Sequence, residues 1–415
     1  MNLLRFFTCG NVDDGKSTLI GRLLLDSGSI STDIIETLTR QSKATGAQVG
    51  IDLALITDGL RAEREQGITI DVAYKFFSTS KRRFIVADTP GHVQYTRNMV
   101  SGASNTDLAI ILIDVRHGIT EQTQRHSVIA ALLGLSEVVV CVNKMDMVGY
   151  DRATFEAICA EYSAFADSIG IGGRTFIPVS ALMGDNVVTP SAHMPWYAGP
   201  TLLHHLETYV PPQQATELPA RFDVQWVIRP QTAALHDYRG LAGTLLSGRL
   251  SKGDAVTLYP SGAGAVIARI ESNGCDTETL KAGKPGVLHT DVDVDAPRGT
   301  LIVPAYSPIR SEREFRAVLC WMSEQPFRPG ERFLLRQNAF ATRASIASVE
   351  ARLDIRDLSA QPFEGSLGLN DIVRITVRTA DPFTYDPYRL HRSMGAFILV
   401  SEATNNTVAA GMAED

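Results

Sequence analysis

Gly10-Asn11-Val12-Asp13-Asp14-Gly15-Lys16-Ser17 satisfies the phosphate-loop pattern GxxxxGK[ST], and the rest of the 415-residue chain reads outward from it. Glycines let backbone N–H groups turn onto phosphate oxygens, Lys16 reaches the β- and γ-phosphates, and Ser17 offers a hydroxyl to Mg²⁺. The flanks suit that chemistry. Leu3 to Cys9 is a short apolar strand, and Ser17 to Leu25 has the pattern of a helix whose N-terminal dipole faces an anion. Gly10 through Ser17, with Thr18, is therefore the expected phosphate-binding set.

Further motifs follow in the order that a nucleotide switch needs. Phe84-Ile85-Val86-Ala87 is an apolar run ending in Asp88-Thr89-Pro90-Gly91-His92. Asp88 can join a Mg²⁺ shell, and the Gly91 N–H can bond a γ-phosphate that is present before hydrolysis and absent after it. Upstream, the polar connection from Asp26 to Gly50 holds a candidate helix through Ile34, Ile35 and Leu38. A second candidate carries Leu53, Ile56 and Leu60 on one face. The charged turn from Arg61 to Glu65 then leads into Gln66-Gly67-Ile68-Thr69-Ile70, the expected switch segment.

Strands at Leu108 to Ile113, Val138 to Val142 and Phe176 to Val179 alternate with helical stretches such as Gln122 to Leu133. That is the βαβ grammar of a doubly wound, mostly parallel sheet, in which the strand ends carry the chemistry. Two of those ends deliver Asn143-Lys144-Met145-Asp146 and Ser180-Ala181-Leu182. Asp146 can accept from both N1–H and the exocyclic amine of guanine, donors that adenine lacks there. Guanine is the expected base, read by Asn143, Lys144, Asp146, Ser180, Ala181 and Leu182.

The length predicts two or three domains, and the formal charge of −7 argues against a broad basic surface for nucleic acid. Cys9, Cys141, Cys159, Cys275 and Cys320 form no CxxC pair and have no histidines at zinc-ligand spacing, so reduced thiols are expected. Met1 runs straight into the first strand and no apolar stretch approaches membrane-spanning length, which predicts a cytoplasmic chain.

Beyond Tyr209-Val210-Pro211-Pro212 the helical period gives way to alternation. Phe222, Val224, Trp226 and Ile228 alternate with polar residues, and a second block after Pro308 repeats the pattern at Phe315, Ala317, Leu319 and Trp321 and at Val373, Ile375 and Val377. The expected layout is a P-loop GTP-binding domain over 1–212, a β-barrel over 213–308 and a second β-barrel over 309–415. Three features invite other readings. His204-His205 is a poor metal pair, because adjacent residues point to different helix faces. Lys81-Arg82-Arg83 reads as a solvated hairpin tip, and Arg310, Arg313 and Arg316 face either a partner or water.

The ordered set GNVDDGKS, Thr69 within GITI, DTPGH, NKMD and SAL resembles a GTPase of the translation-factor superclass. The resemblance implies GTP/GDP and Mg²⁺ as cofactors, with His92 orienting the attacking water behind an apolar gate of Val12 and Ile68. The expected catalytic group is then His92 with Thr69, Lys16 and Gly91, and the expected metal ligands are Ser17, Thr69 and Asp88. Within the superclass the chain is similar over nearly its whole length to the GTPase subunit family of bacterial sulfate adenylyltransferase, the CysN type. That likeness rests on Val12 to Leu24, on Asp58 to Tyr74 and on Gln94-Tyr95-Thr96-Arg97-Asn98-Met99. Asp14 adds to it, since elongation factors usually carry His or Ser there, and Met194-Pro195-Trp196-Tyr197 gives further support.

The resemblance implies a three-part layout and a separate catalytic subunit that makes adenosine 5′-phosphosulfate and pyrophosphate from ATP and sulfate, a step that GTP hydrolysis helps to drive. Some members continue into an adenylyl-sulfate kinase domain with its own phosphate loop, and this sequence carries no second loop of that kind. The alternative expectation is an elongation-type GTPase that delivers aminoacyl-tRNA.

Overall fold

A computed structural model describes residues 3–30, 33, 35–36, 53–56, 71–91, 96–135, 137–211, 215–230, 238–354 and 356–415. The chain divides into two compact units, the first comprising Met1–Pro211 with Ile355–Ser359 and the second Pro212–Asp354 with Ala360–Asp415.

The first unit runs β1 (Leu3–Cys9), α1 (Lys16–Asp26), β2 (Ala73–Ser78), β3 (Arg83–Asp88), α2 (Thr96–Ala103), β4 (Leu108–Asp114), α3 (Glu121–Leu132), β5 (Glu137–Asn143), α4 (Arg152–Ser168), β6 (Gly173–Pro178) and α5 (Leu202–Thr208). Its sheet has the order β2-β3-β1-β4-β5-β6. β1, β3, β4, β5 and β6 pair in parallel, while β2 lies antiparallel on the β3 edge. All seven residues of β4 are buried, as a central strand covered on both faces requires. Thr120 caps α3 by accepting from the Thr123 N–H at 3.3 Å, and Asp151 caps α4 by accepting from the Thr154 N–H at 2.8 Å. Among the described residues no helix is long and apolar enough to cross a membrane.

Two local expectations change. Leu53–Ile56 forms a short 3₁₀ turn, and Leu60, like Ile34 and Leu38, lies outside the described residues. The hairpin that joins β2 to β3 is not a solvated tip throughout. Arg82 is 7% exposed, and its guanidinium donates to Leu206 O (3.2 Å) and to Tyr209 O, satisfying carbonyls at the end of α5. Lys81 pairs with Glu207 at 2.7 Å, and His205 Nε2 lies 3.1 Å from Glu137 Oε1.

The second unit is all β. Its first sheet contains β7 (Arg221–Ile228), β8 (Gly240–Ser247), β10 (Ala255–Tyr259), β11 (Ala263–Ser272), β12 (Cys275–Thr277), β14 (Pro285–Thr290) and β15 (Leu301–Pro304), with β9 (Arg249–Ser251) paired to β13 (Thr279–Lys281) beside it. Pairing of β10 with β11 closes all but β12 into a ring. The second sheet contains β16 (Arg310–Trp321), β17 (Phe333–Gln337), β18 (Phe340–Leu353), β19 (Ala360–Pro362), β20 (Ile372–Tyr385), β21 (Ala396–Ser401) and β22 (Thr407–Ala413). Here β17 pairs with β18 and leaves only β19 outside the ring. Closure removes the free edges that open antiparallel sheets expose, so the expected pair of barrels is present.

The barrels meet along an apolar seam of Leu301, Val303, Ile309 and Met394. At its side the buried Arg221 donates to both carboxylate oxygens of Asp386, at 2.8 and 3.0 Å. His391 sits nearby, and burial pushes its pKa down to about 4, with Asp386 acting against that shift and Arg221 with it. The neutral ring meets Ser247 Oγ at 2.7 Å, so the seam carries hydrogen bonds as well as apolar contact.

Candidate functional site at the nucleotide loop

α1 begins where the phosphate loop ends. Gly15 precedes it at φ +93°, and a Cβ there would lie 2.5 Å from Asn143 Nδ2, so both backbone angle and space demand glycine. Lys16 is 7% exposed, and its ammonium donates to Gly10 O (3.0 Å) and Asn11 O (2.7 Å). Burial lowers its pKa, while the carboxylates of Asp88 and Asp14 oppose that shift. Asp14 is 3% exposed, and its carboxylate accepts the Asn11 N–H at 2.6 Å, so this side chain braces the loop from within. Its pKa is raised, chiefly by burial. The Val12 N–H is fixed in turn on Asn11 Oδ1 at 2.9 Å.

The end of β3 joins this loop. Thr8 Oγ1 donates to Asp88 Oδ1 at 3.3 Å, and Thr89 Oγ1 donates to Thr8 O at 2.7 Å, which ties the DTPG turn to β1. A Cβ on Gly91 would lie 2.6 Å from both Gly10 O and Lys16 Nζ. Any side chain there would push the turn off the loop, so the close approach of the two segments requires glycine at this position. Ser17 and Asp88 supply the hard oxygen donors that Mg²⁺ selects, so the donor set fits that ion. Ile68, Thr69 and His92 lie outside the described residues.

The base motif closes the other side. Asn143 Nδ2 donates to Asp14 O (2.7 Å), Asn143 Oδ1 accepts the Ala181 N–H (2.9 Å), and Lys144 Nζ donates to Asp13 O (2.5 Å). Ser180 Oγ donates to Asp146 Oδ1 at 2.6 Å and orients that carboxylate. From α1, Arg22 donates to Ala181 O at 3.2 Å and also to Leu182 O. One helix therefore links the phosphate loop to the base loop. The described members of the expected set gather at the C-terminal end of the parallel strands, where open α/β sheets bind ligands.

Two participants were missed by the sequence reading. Arg22 sits in a helix that reads as amphipathic, and nothing local marks its target 159 residues away. Asp114 had a usable signal, a carboxylate closing an otherwise apolar strand, yet it belongs to no short motif.

Residues 1–212 match the family described as Elongation factor Tu GTP binding domain, and residues 314–414 match GTP-eEF1A C-terminal domain-like. Sulfate adenylyltransferase subunit 1 of Shewanella oneidensis is 46% identical over 415 residues, covering 99% of this chain and 85% of that protein. The chain belongs to the sulfate adenylyltransferase subunit 1 family. Longer relatives carry the names of bifunctional enzymes. This chain is 47% identical over 413 residues to NodQ of Rhizobium sp. (strain N33) and spans 63% of its length. It is 47% identical over 412 residues to CysN/CysC of Mycobacterium tuberculosis (strain ATCC 25618 / H37Rv) and spans 67% of that protein. Among solved structures, sup35 complexed with GMPPNP is 22% identical over 100% of this chain and 94% of that chain, at a TM-score of 0.45. As a member of this family the chain has a GTPase domain for its first unit, and guanine nucleotide is its ligand.

Proposed function

We propose that this chain is the GTP-hydrolysing subunit of a sulfate adenylyltransferase, working on a separate subunit that forms adenosine 5′-phosphosulfate and pyrophosphate from ATP and sulfate. The observation that carries the proposal is 46% identity across 99% of the chain to a sulfate adenylyltransferase subunit 1. The guanine-reading set described above supports it. In this reading residues 1–212 bind GTP, and the barrels occupy 213–308 and 309–415. The complex is cytoplasmic, and an adenylyl-sulfate kinase is the neighbouring activity, since relatives named CysN/CysC extend beyond the matched region.

Lys16 compensates charge on the β- and γ-phosphates, and Gly91 offers its N–H to the γ-phosphate. His92 orients the attacking water and shares its proton, while Val12 and Ile68 gate access to it. Ser17 and Asp88, with Thr69, would hold Mg²⁺, which when bound neutralises charge on the phosphate oxygens. Loss of the γ-phosphate releases Thr69 and Gly91, and the partner senses that change.

An aminoacyl-tRNA carrier would share the loop and base motifs but needs cationic surface for phosphates. On the last barrel Arg316 is paired with Glu350 (2.6 Å), Arg374 with Glu414 (3.0 Å) and Arg378 with Glu314 (2.8 Å), so these three cations are locally compensated.

The partnership is tested by co-expression with a sulfate adenylyltransferase catalytic subunit and size-exclusion chromatography. The two chains are expected to elute together. Separate elution at micromolar concentration, with guanine nucleotide present, would remove the partnership.

A further inference from the structure

Asp114 ends β4, a strand whose seven residues are all buried, and its side chain is 1% exposed. An isolated carboxylate in that position is costly unless donors surround it. Four do. Its Oδ1 accepts from the Arg116 N–H (3.0 Å) and Arg116 Nε (3.0 Å), and its Oδ2 accepts from Arg116 Nη2 (2.6 Å) and Lys144 Nζ (2.9 Å). Burial alone would raise its pKa, but the Arg116 and Lys144 donors outweigh it and hold the group well below the usual carboxylate range. The carboxylate therefore stays ionised.

Its position follows from the sheet. The parallel register sets Asp114 opposite Asn143, so the next residue, Lys144, leaves β5 directly beside it. Lys144 takes a left-handed backbone conformation, φ +65°, and its side chain remains one-quarter exposed. A long cationic side chain in that setting would sample many rotamers in water. Here it is held from two sides, by Asp114 and by Asp13 O at 2.5 Å. Asp13 itself is a non-glycine residue at φ +69°, the bend of the phosphate loop. One carboxylate thus fixes the lysine that joins the base motif to the phosphate loop. Arg116 lies on the same carboxylate with its side chain 40% exposed. Asp14, Asp114 and His117 also converge, but the Asp114 oxygens are already taken up by Arg116 and Lys144, and that leaves a poor metal site.

We propose that Asp114 is a positioning residue for nucleotide retention, acting through Lys144: it pre-sets that side chain against the Asp13 carbonyl so that the base motif and the phosphate loop grip guanine nucleotide together. It touches neither the phosphates nor the attacking water. This rests on the reading of the loop and NKMD as a guanine-nucleotide site.

The test is stopped-flow release of mant-GDP from the full chain, with steady-state GTP turnover alongside. Asp114→Asn keeps the shape and removes the charge, and losing a charge-assisted hydrogen bond to Lys144 is expected to speed release and raise KM by roughly tenfold to a hundredfold. The single-turnover rate of hydrolysis at saturating GTP, which excludes product release, is expected to stay within about twofold, because no interaction made only in the transition state is removed. Lys144→Ala is expected to give a comparable increase in release, and the double variant no more than the larger single effect. A purely structural Asp114 would instead give additive effects in the cycle, and additivity overturns the proposal. So does parent-like release from a folded Asp114→Asn chain. If that variant does not fold, parent-like release from Lys144→Ala overturns it alone, since the grip is argued to act through that side chain. A parent chain that binds no mant-GDP would overturn the guanine-site reading itself, a different outcome from a parent that binds and variants that do not differ.

Discussion

Asp146→Asn is expected to lose guanine nucleotide by roughly a thousandfold and to gain xanthine nucleotide, because a site built around a hydrogen-bonding group rejects the mismatched ligand strongly. The carboxylate accepts where guanine donates twice. An asparagine amide keeps one acceptor and presents one donor, which suits the xanthine carbonyl. The exchange should leave the loop in place, since Ser180 Oγ, now 2.6 Å from Asp146 Oδ1, can still donate to an amide oxygen. Competition titrations with GDP and XDP measure the switch. An unchanged preference for GDP would take Asp146 out of the base site.

The second large effect is on chemistry. His92→Ala is expected to slow single-turnover GTP hydrolysis roughly a hundredfold to a thousandfold, the range that a positioned acid–base or water-orienting group supplies. At a hundredfold this corresponds to about 2.7 kcal/mol of lost transition-state stabilisation. Affinity for GTP should stay close to the parent's, because in the proposed reading the phosphates are held by the loop and Lys16 and the base by the NKMD segment. A single-turnover rate equal to the parent's would remove His92 from the catalytic role.

The nucleotide loop, the DTPG turn and the NKMD and SAL segments were legible because each is short. Their chemistry requires particular residue types a few positions apart, and the flanking apolar runs place every one at a strand end. The barrels were legible from alternation only in part: Phe315, Ala317, Leu319 and Trp321 are buried, but so are Val318 and Cys320 between them, and in β7 Phe222 and Val224 are buried while Trp226 is 67% exposed and Arg221 and Asp223 are buried, because the register shifts on either side of that stretch. What alternation does not contain is the order of strands around each ring: β10–β11 and β17–β18 are local hairpins, but the β10–β15, β7–β15, β16–β20 and β17–β21 pairings join distant stretches and depend on three-dimensional curvature. Arg82 misled for a related reason. Three cations at a turn look solvated, and only the arrival of α5, 124 residues later, supplies the carbonyls that bury the middle one. The antiparallel edge strand β2 went unread because Ala73–Ser78 follows the switch segment with a mixed burial pattern and no turn signal at its start. Asp114 illustrates the remaining gap. Its importance lies in the register between β4 and β5, which brings Lys144 to it, and no spacing within the sequence encodes that meeting.

In the proposed function, GTP hydrolysis by this chain is tied to sulfate adenylation by a partner. The most direct measurement is GTP turnover by the reconstituted pair with ATP and sulfate supplied together, singly or not at all, while adenosine 5′-phosphosulfate is quantified in the same samples. Turnover is expected to rise when both substrates are present, and product to accumulate beyond its GTP-free level. GTP turnover that is the same in all four conditions, with product formation indifferent to GTP, would contradict the proposed function.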